Sequence, residues 1–309
     1  MSAAAPAAFP RPSPRARRPE GWLFLLPALL LFAGWQLYPV LRVLWLSFTD
    51  THFLRNEPAR WIGFANFSAA VADPLVQRGF ARALVFTLIF LPGMLFIPLL
   101  AAVLVDRVEN PRAATAYRLL LLIPSMIPGP LVFVLWKWLY SYSIGPINYV
   151  LVDVLGLCTL YDAPQWLGDP RLSILSIAAM EWWWGLGYHT LFFLAGLAAI
   201  PRELYEAAYV DGANEWQVFW KITFPRLRPI LLVLVVLRFG SAMAVIDEYL
   251  LLGCFNRELP TYTWTVYMWD VAFQLGDRNQ GYAAAIGWLG ALAMLAVVAA
   301  LFWVFRPRD

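Results

Sequence analysis

Two stretches of this chain hold residues able to do chemistry, and neither is equipped for catalysis. The first is the polar segment 201–228, PRELYEAAYVDGANEWQVFWKITFPRLR, set between long apolar runs. Pro201 suits the first turn of a helix, where its missing N–H costs nothing. Glu203 and Glu206 then lie near a positive helix start. Ala207 and Ala208 are small enough to let another surface approach closely. Gly212 can take the left-handed conformation that ends a helix. Asn214 with Gln217 fits a capping box for a second short helix. Trp216, Phe219 and Trp220 follow at i, i+3 and i+4, giving that helix an apolar face. Pro225 and Pro229 are expected to stop it before the next apolar run. The chemistry on offer is docking. The plainer reading is a helical hairpin with no partner.

The second stretch carries ionisable groups inside apolar runs: Glu181, Arg238, Asp247 and Glu248. Such groups are costly in hydrocarbon and are functional candidates for that reason. At about 100° per residue, Glu181, Trp184, Tyr188 and Phe192 share one helical face, with His189 on its shoulder. An acid beside aromatic rings suits a sugar, whose hydroxyls need acceptors and whose ring faces need flat apolar surfaces. The competing reading is packing: the aromatics anchor the helix and Glu181 pairs with Arg238.

Catalytic and metal-binding patterns are lacking. There is no phosphate-cradling Gly-Lys-Ser/Thr loop. His52 and His189 stand far apart, with no metal-ligand spacing around either. No catalytic residue, metal or cofactor is therefore expected in this chain.

The elements that must position these residues are membrane helices. Of the 309 residues, 61% are hydrophobic and 14% charged, against about 25% charged in soluble domains. The net charge of +3 gives no reason to expect nucleic acid. Six apolar runs, at about 21–47, 82–105, 116–140, 172–199, 229–252 and 281–305, reach the ~20 residues that cross a bilayer. Pro27, Pro39, Pro92, Pro98, Pro124 and Pro128 lie in or beside them and predict kinks. Lys and Arg are in excess on the side holding the N-terminus, segment 201–228, Arg306 and Arg308, which is therefore read as cytoplasmic. Residues 1–19, rich in Ala, Pro and Arg, read as a disordered basic cytoplasmic tail. Residues 20–309 read as one transmembrane domain. The first run is too long for a signal-peptide core, so no cleavage is expected. Cys158 and Cys254 both fall on the external side, as a disulfide or as two unpaired thiols.

Segment 206–229 resembles, nearly residue for residue, the cytoplasmic coupling loop of ABC-importer permeases. The likeness is to the carbohydrate-uptake, binding-protein-dependent branch of maltose and glycerol-3-phosphate type. Glu206, Ala207, Ala208, Asp211, Gly212, Ala213, Phe219, Ile222, Phe224 and Pro225 stand at the pattern's positions. LLPALLLF and YPVLRVLWLSF in the first run, IGFANF at 62–67, IPSMIPGPLVFVLWKWLY at 123–140 with Gly145 and Asn148, and the WWWGLGYHTLFFLAGLAAIP run at 182–201 extend the likeness. VIDEYLLLGCFNRELP departs from it: Asp247, Gly253 and Pro260 remain, but the family's Gly-rich turn is replaced.

The resemblance implies an all-α polytopic membrane protein of six transmembrane helices with the type I ABC importer permease fold. It implies residues 201–228 as the loop that docks a separate ATPase subunit, which would hold ATP and Mg. It implies a second permease subunit, two ATPase subunits and an extracytoplasmic solute-binding protein as partners, in a bacterial or archaeal cell membrane with both termini cytoplasmic. The implied function is uptake of a sugar or related solute by alternating access. Other readings are a permease for glycerol phosphate, a polyol or another nutrient, and an ion-coupled secondary transporter.

Overall fold

The computed structural model describes residues 20–55 and 57–304. The tail expected at 1–19, and Arg306 and Arg308, lie outside them. Most of the described residues are helical. Helix α1, Glu20–Phe32, runs through a π-helical turn, Ala33–Leu37, into α2, Tyr38–Ser47. Side chains from Leu23 to Leu37 are exposed on every side, and α2 packs on the last helix. After α2, strands β1, Thr49–Asp50, and β2, Arg60–Trp61, form a short antiparallel pair before α3, Ala65–Ala72. Buried Asn66 donates to the carbonyls of Ser47 and Thr49, fastening α3 to the end of the first span.

Helix α4, Pro74–Asp106, is the longest and keeps Pro92 and Pro98 within it. The third span is broken: α5, Pro111–Leu122, a 3₁₀ turn, Pro124–Met126, then α6, Gly129–Leu139. Short α7, Pro146–Tyr149, opens the long loop that leads to the fourth span. Buried Asn148 anchors that loop, donating to Tyr142 and Pro164 carbonyls and accepting from Trp166 Nε1. Helix α8, Ser173–Ala198, bends by 70° into α9, Arg202–Val210.

Helix α10, Glu215–Val218, continues through a π-helical turn, Phe219–Thr223, into α11, Phe224–Met243. This corrects the expectation that Pro225 and Pro229 stop the helix. The wider turn carries the chain past Pro225, which has no N–H to give, and Pro229 sits inside α11. The fifth span breaks after Met243 and resumes as α12, Asp247–Leu252. Helices α13, Trp264–Phe273, and α14, Gln280–Val304, complete the chain. All six expected spans are thus helical, the third and fifth in two pieces.

Backbone at membrane depth must find its partners within the protein. At the third-span break Trp184 Nε1 donates to the Ile127 carbonyl at 3.1 Å. At the fifth, Trp264 Nε1 donates to Met243 at 2.8 Å and Thr265 Oγ1 to Val245 at 2.6 Å. Lys137, in the last turn of α6, donates to the Leu251 carbonyl at 3.2 Å, a cation at the C-terminus of α12. Cys158 and Cys254 are both free, Cys254 buried in the core beyond α12 and Cys158 in the α7–α8 loop. The disulfide reading therefore does not hold.

Trp264 is seated against α4 at Gly79, where a Cβ would lie 2.6 Å from the Trp264 amide nitrogen and 2.8 Å from its Cα. Both are backbone atoms that cannot turn aside. Gly79→Ala should destabilise the protein by about 1–3 kcal/mol. Gly240→Ala, at a helical position with nothing within 4 Å, should be neutral or mildly stabilising. Thermal unfolding of the two variants in detergent checks this, and equal midpoints would contradict the packing account.

Asp73 caps α4 through the Leu75 amide and accepts the hydroxyls of Tyr267 at 2.8 Å and Tyr282 at 2.7 Å. Partial burial raises its carboxyl, but the two tyrosines and the cap amides outweigh that and hold it below the ordinary value. A lowered folded value stabilises above the unfolded value of about 3.9, and the gain is lost as pH falls through the folded one. Thermal stability measured from pH 7 to pH 3 should therefore drop more steeply in the natural protein than in Asp73→Asn.

Candidate functional site

The segment between the fourth and fifth spans is locally well determined. Asp211 ends α9, and Gly212 is left-handed at φ 80°. The Ala213 amide donates to Ala208 and the Gly212 amide to Tyr209, the paired bonds of a Schellman motif. The capping box forms reciprocally: Asn214 Oδ1 accepts from the Gln217 amide and Gln217 Oε1 from the Asn214 amide. A Cβ on Gly212 would meet nothing within 4 Å, so the need for glycine there is purely conformational.

A brace not visible in sequence ties this hairpin to the second span. Glu215 accepts from Tyr209 OH at 2.8 Å and pairs with Arg107 at the end of α4. The bond to Glu215 raises the Tyr209 phenol above its ordinary value. Tyr205 meets Thr223 at 3.3 Å. Behind the brace lies a cavity of about 510 Å³, bordered by Arg107, Tyr205 and Glu215.

The loop residues divide by direction. Phe219 and Ile222 pack on an inner core built from Leu99, Ala102, Val105, Phe193, Leu197 and Leu227. Ala208, Ala213 and Pro225 are half-buried, whereas Glu206, Ala207, Asp211 and Gly212 are exposed. Beside them Tyr209, Val210 and Trp216 stand out, with Val210 87% and Trp216 70% exposed. Small and acidic residues next to uncovered apolar ones make a surface suited to a partner.

The α8 face of Glu181, Trp184, Tyr188 and Phe192 is covered over its outer half. Glu181 is buried, with Oε1 lacking a hydrogen-bond partner. Trp184 is committed to the third-span break, its N–H on Ile127 and its ring edge-on to Phe133. Near mid-helix the face opens at Tyr188, which is 50% exposed. Tyr188 packs edge-on against both His189 and Phe192. His189 is fully buried, and its Nδ1 lies 2.6 Å from the Gly185 carbonyl. Arg238 Nε donates to His189 Nε2 at 2.6 Å. A carbonyl only accepts, so Nδ1 carries the ring proton and Nε2 is a bare acceptor. The Glu181–Arg238 pair of the competing reading is not among the ion pairs of the described residues. Among them, no group of three or more His, Cys, Asp or Glu could hold a metal ion.

Comparison with known proteins places this geometry. Residues 62–306 match the family model described as binding-protein-dependent transport system inner membrane component. A probable ABC transporter permease of Pyrococcus horikoshii is 32% identical over 93% of this chain and 96% of that protein. The sulfoquinovosyl glycerol transport system permease of Agrobacterium fabrum is 31% identical over 93% and 90%. The crystal structure of a bacterial ABC transporter involved in the import of the acidic polysaccharide alginate contains a chain 25% identical. It aligns with a TM-score of 0.79, covering 93% of this chain and 95% of that one. The chain is a multi-pass membrane protein and belongs to the family of binding-protein-dependent transport system inner membrane components.

Proposed function

We propose that this chain is the transmembrane subunit of an ATP-driven importer and forms half of the pathway for a sugar or related solute. The observation that carries the reading is the hairpin 201–228. It is rigidly capped, seated on the inner core, and presents an uncovered face. That face is the dock for a separate ATPase subunit, which holds the ATP and Mg. Glu206, Ala207, Ala208, Asp211, Gly212 and Ala213 shape it, and Phe219, Ile222 and Pro225 link it to the spans.

A second permease subunit, two ATPase subunits and an extracytoplasmic solute-binding protein complete the transporter, in a cell membrane with both termini cytoplasmic. Relatives are named for sulfoquinovosyl glycerol and, in Rhizobium radiobacter at 29% identity over 94% of this chain, for lactose. These names support a carbohydrate over glycerol phosphate, a polyol or another nutrient. ATP closes the ATPase dimer, the dock moves, and the spans reopen outward. Tyr188 and Arg238 line the pathway where α8 opens, with buried His189 orienting Arg238, Glu181 behind them and Trp184 holding the adjoining break.

Gly212 separates conformation from contact. Gly212→Val should abolish ATP-dependent uptake, because a β-branched residue resists positive φ. Gly212→Asn should keep much of it, since Asn tolerates the left-handed region. Glu206→Lys should abolish uptake by reversing the charge at the dock. All three should insert normally, with ATPase co-purification lost in the first and third. Unchanged uptake and ATPase association in Gly212→Val and Glu206→Lys would refute the dock.

Orientation has its own test. Single cysteines replacing Arg112 and Asn214 should react with an impermeant maleimide only from the cytoplasm. Cysteines replacing Phe64 and Asp277 should react only from outside. Labelling at Asn214 from outside would remove the dock from reach of any ATPase.

A further inference from the structure

Resting on the importer reading above, we propose that the solute carries an anionic group, a carboxylate, sulfonate or phosphate, received by Arg238 in the middle of the membrane. The argument begins with cost. A guanidinium in hydrocarbon is expensive, so it faces a watered cavity or a partner. Arg238 is half-buried, on the stretch of α11 that meets the opened part of α8.

Its fork is held on one side only. The single hydrogen bond found for it runs from Nε to His189 Nε2, at 2.6 Å. His189 is itself pinned at 2.6 Å to the Gly185 carbonyl and is fully buried, so the plane of the guanidinium is set. The acceptor is a neutral imidazole, which orients Arg238 without cancelling its charge. The two terminal nitrogens, with their four N–H groups, have no bond to the described residues. A planar fork so presented matches the paired oxygens of an oxyanion.

The surroundings suit a sugar bearing such a group. Tyr188 leans on His189 and keeps half its surface exposed beside Arg238, a flat platform for a ring. Glu181 and Glu248 lie in the neighbourhood of Arg238, but neither forms an ion pair with it among the described residues. The unpartnered Oε1 of Glu181 remains an acceptor in the same neighbourhood.

The test uses the complete transporter with its binding protein in proteoliposomes. Probes are labelled glycosides in matched pairs: lactose with lactobionate, a glucosyl glycerol with sulfoquinovosyl glycerol, and a disaccharide with its 6-phosphate. ATP-dependent uptake should favour the charged member of at least one pair. Arg238→Gln should lower that uptake by about ten- to a hundredfold, the scale of a lost bond to a charged group, while Arg238→Lys keeps part of it. His189→Ala should raise the KM for the charged probe and leave maximal uptake near normal, as expected of a positioning residue. Preference for the neutral members, or a charged-to-neutral ratio unmoved by Arg238→Gln, overturns the anion site and leaves sugar import standing. No ATP-dependent uptake of any glycoside sinks the import reading and this inference with it.

Discussion

Hydrocarbon offers a backbone amide or carbonyl no partner, so each one opened inside a membrane must be matched by the protein. Among the described residues, the spans open their backbone between Leu122 and Gly129 and between Met243 and Asp247. The matching groups are chosen for what they lack. Tryptophan has a donor and no acceptor, so it serves a bare carbonyl without adding a need of its own. Trp184 does this at the first break and Trp264 at the second. Each ring is also large enough to fill the space that a missing helical turn leaves. The outer pieces, α6 and α12, are then free to pair with each other, and Lys137 closes that pairing on the Leu251 carbonyl.

The same economy explains how the hairpin 201–228 reaches the spans. The path from Glu215 to Met243 is one unbroken helical course, with a π-helical turn where a proline would otherwise interrupt it. On the proposed reading, a push on the hairpin passes directly into the fifth span. Arg107, joined to Glu215, carries it into the second span, and the 70° bend at Ala199–Pro201 carries it into the fourth. The exposed ion pair contributes little to stability by itself. Its value lies in direction, because it fixes which helix ends move together. On the proposed reading, the ATPase acts on three spans through one small surface.

Much of this was legible in the residues, and the misses have causes. The Schellman turn at Gly212 and the box of Asn214 with Gln217 follow from local backbone chemistry, which sequence carries in full. Spans follow from apolar length, and they too were readable. The run of helix through Pro225 was not, because a π-helical turn has no strong sequence mark. The breaks were half visible: Pro124 and Pro128 mark the first, but nothing so plain marks Ala244–Ile246. Asn66 and Asn148 were readable only as landmarks of resemblance, and the structure shows both as buried anchors with several bonds each. Trp184 illustrates the limit of helical-wheel reasoning. Spacing puts it on the face of Tyr188, but only tertiary contact shows its N–H bound at Ile127.

The charged residues of the bilayer interior are not joined in the obvious way. Glu181 and Arg238 are of opposite sign and on neighbouring helices, so a salt bridge is the obvious arrangement. A tight pair would satisfy both and leave a neutral, dry contact of little use to a solute. The chain instead gives Arg238 a neutral acceptor, His189, and leaves Glu181 Oε1 unbonded. Both groups thus keep unspent hydrogen-bonding capacity, which costs stability in a closed protein. Such a cost is sustained where something else completes the bonds for part of a cycle. In a helix bundle that opens and closes, a site left unsatisfied between passages binds a polar solute without a prior partner to displace. The placement of these groups, beside half-exposed Tyr188, joins that unmet demand to a stretch of the helix face that is open to receive a solute.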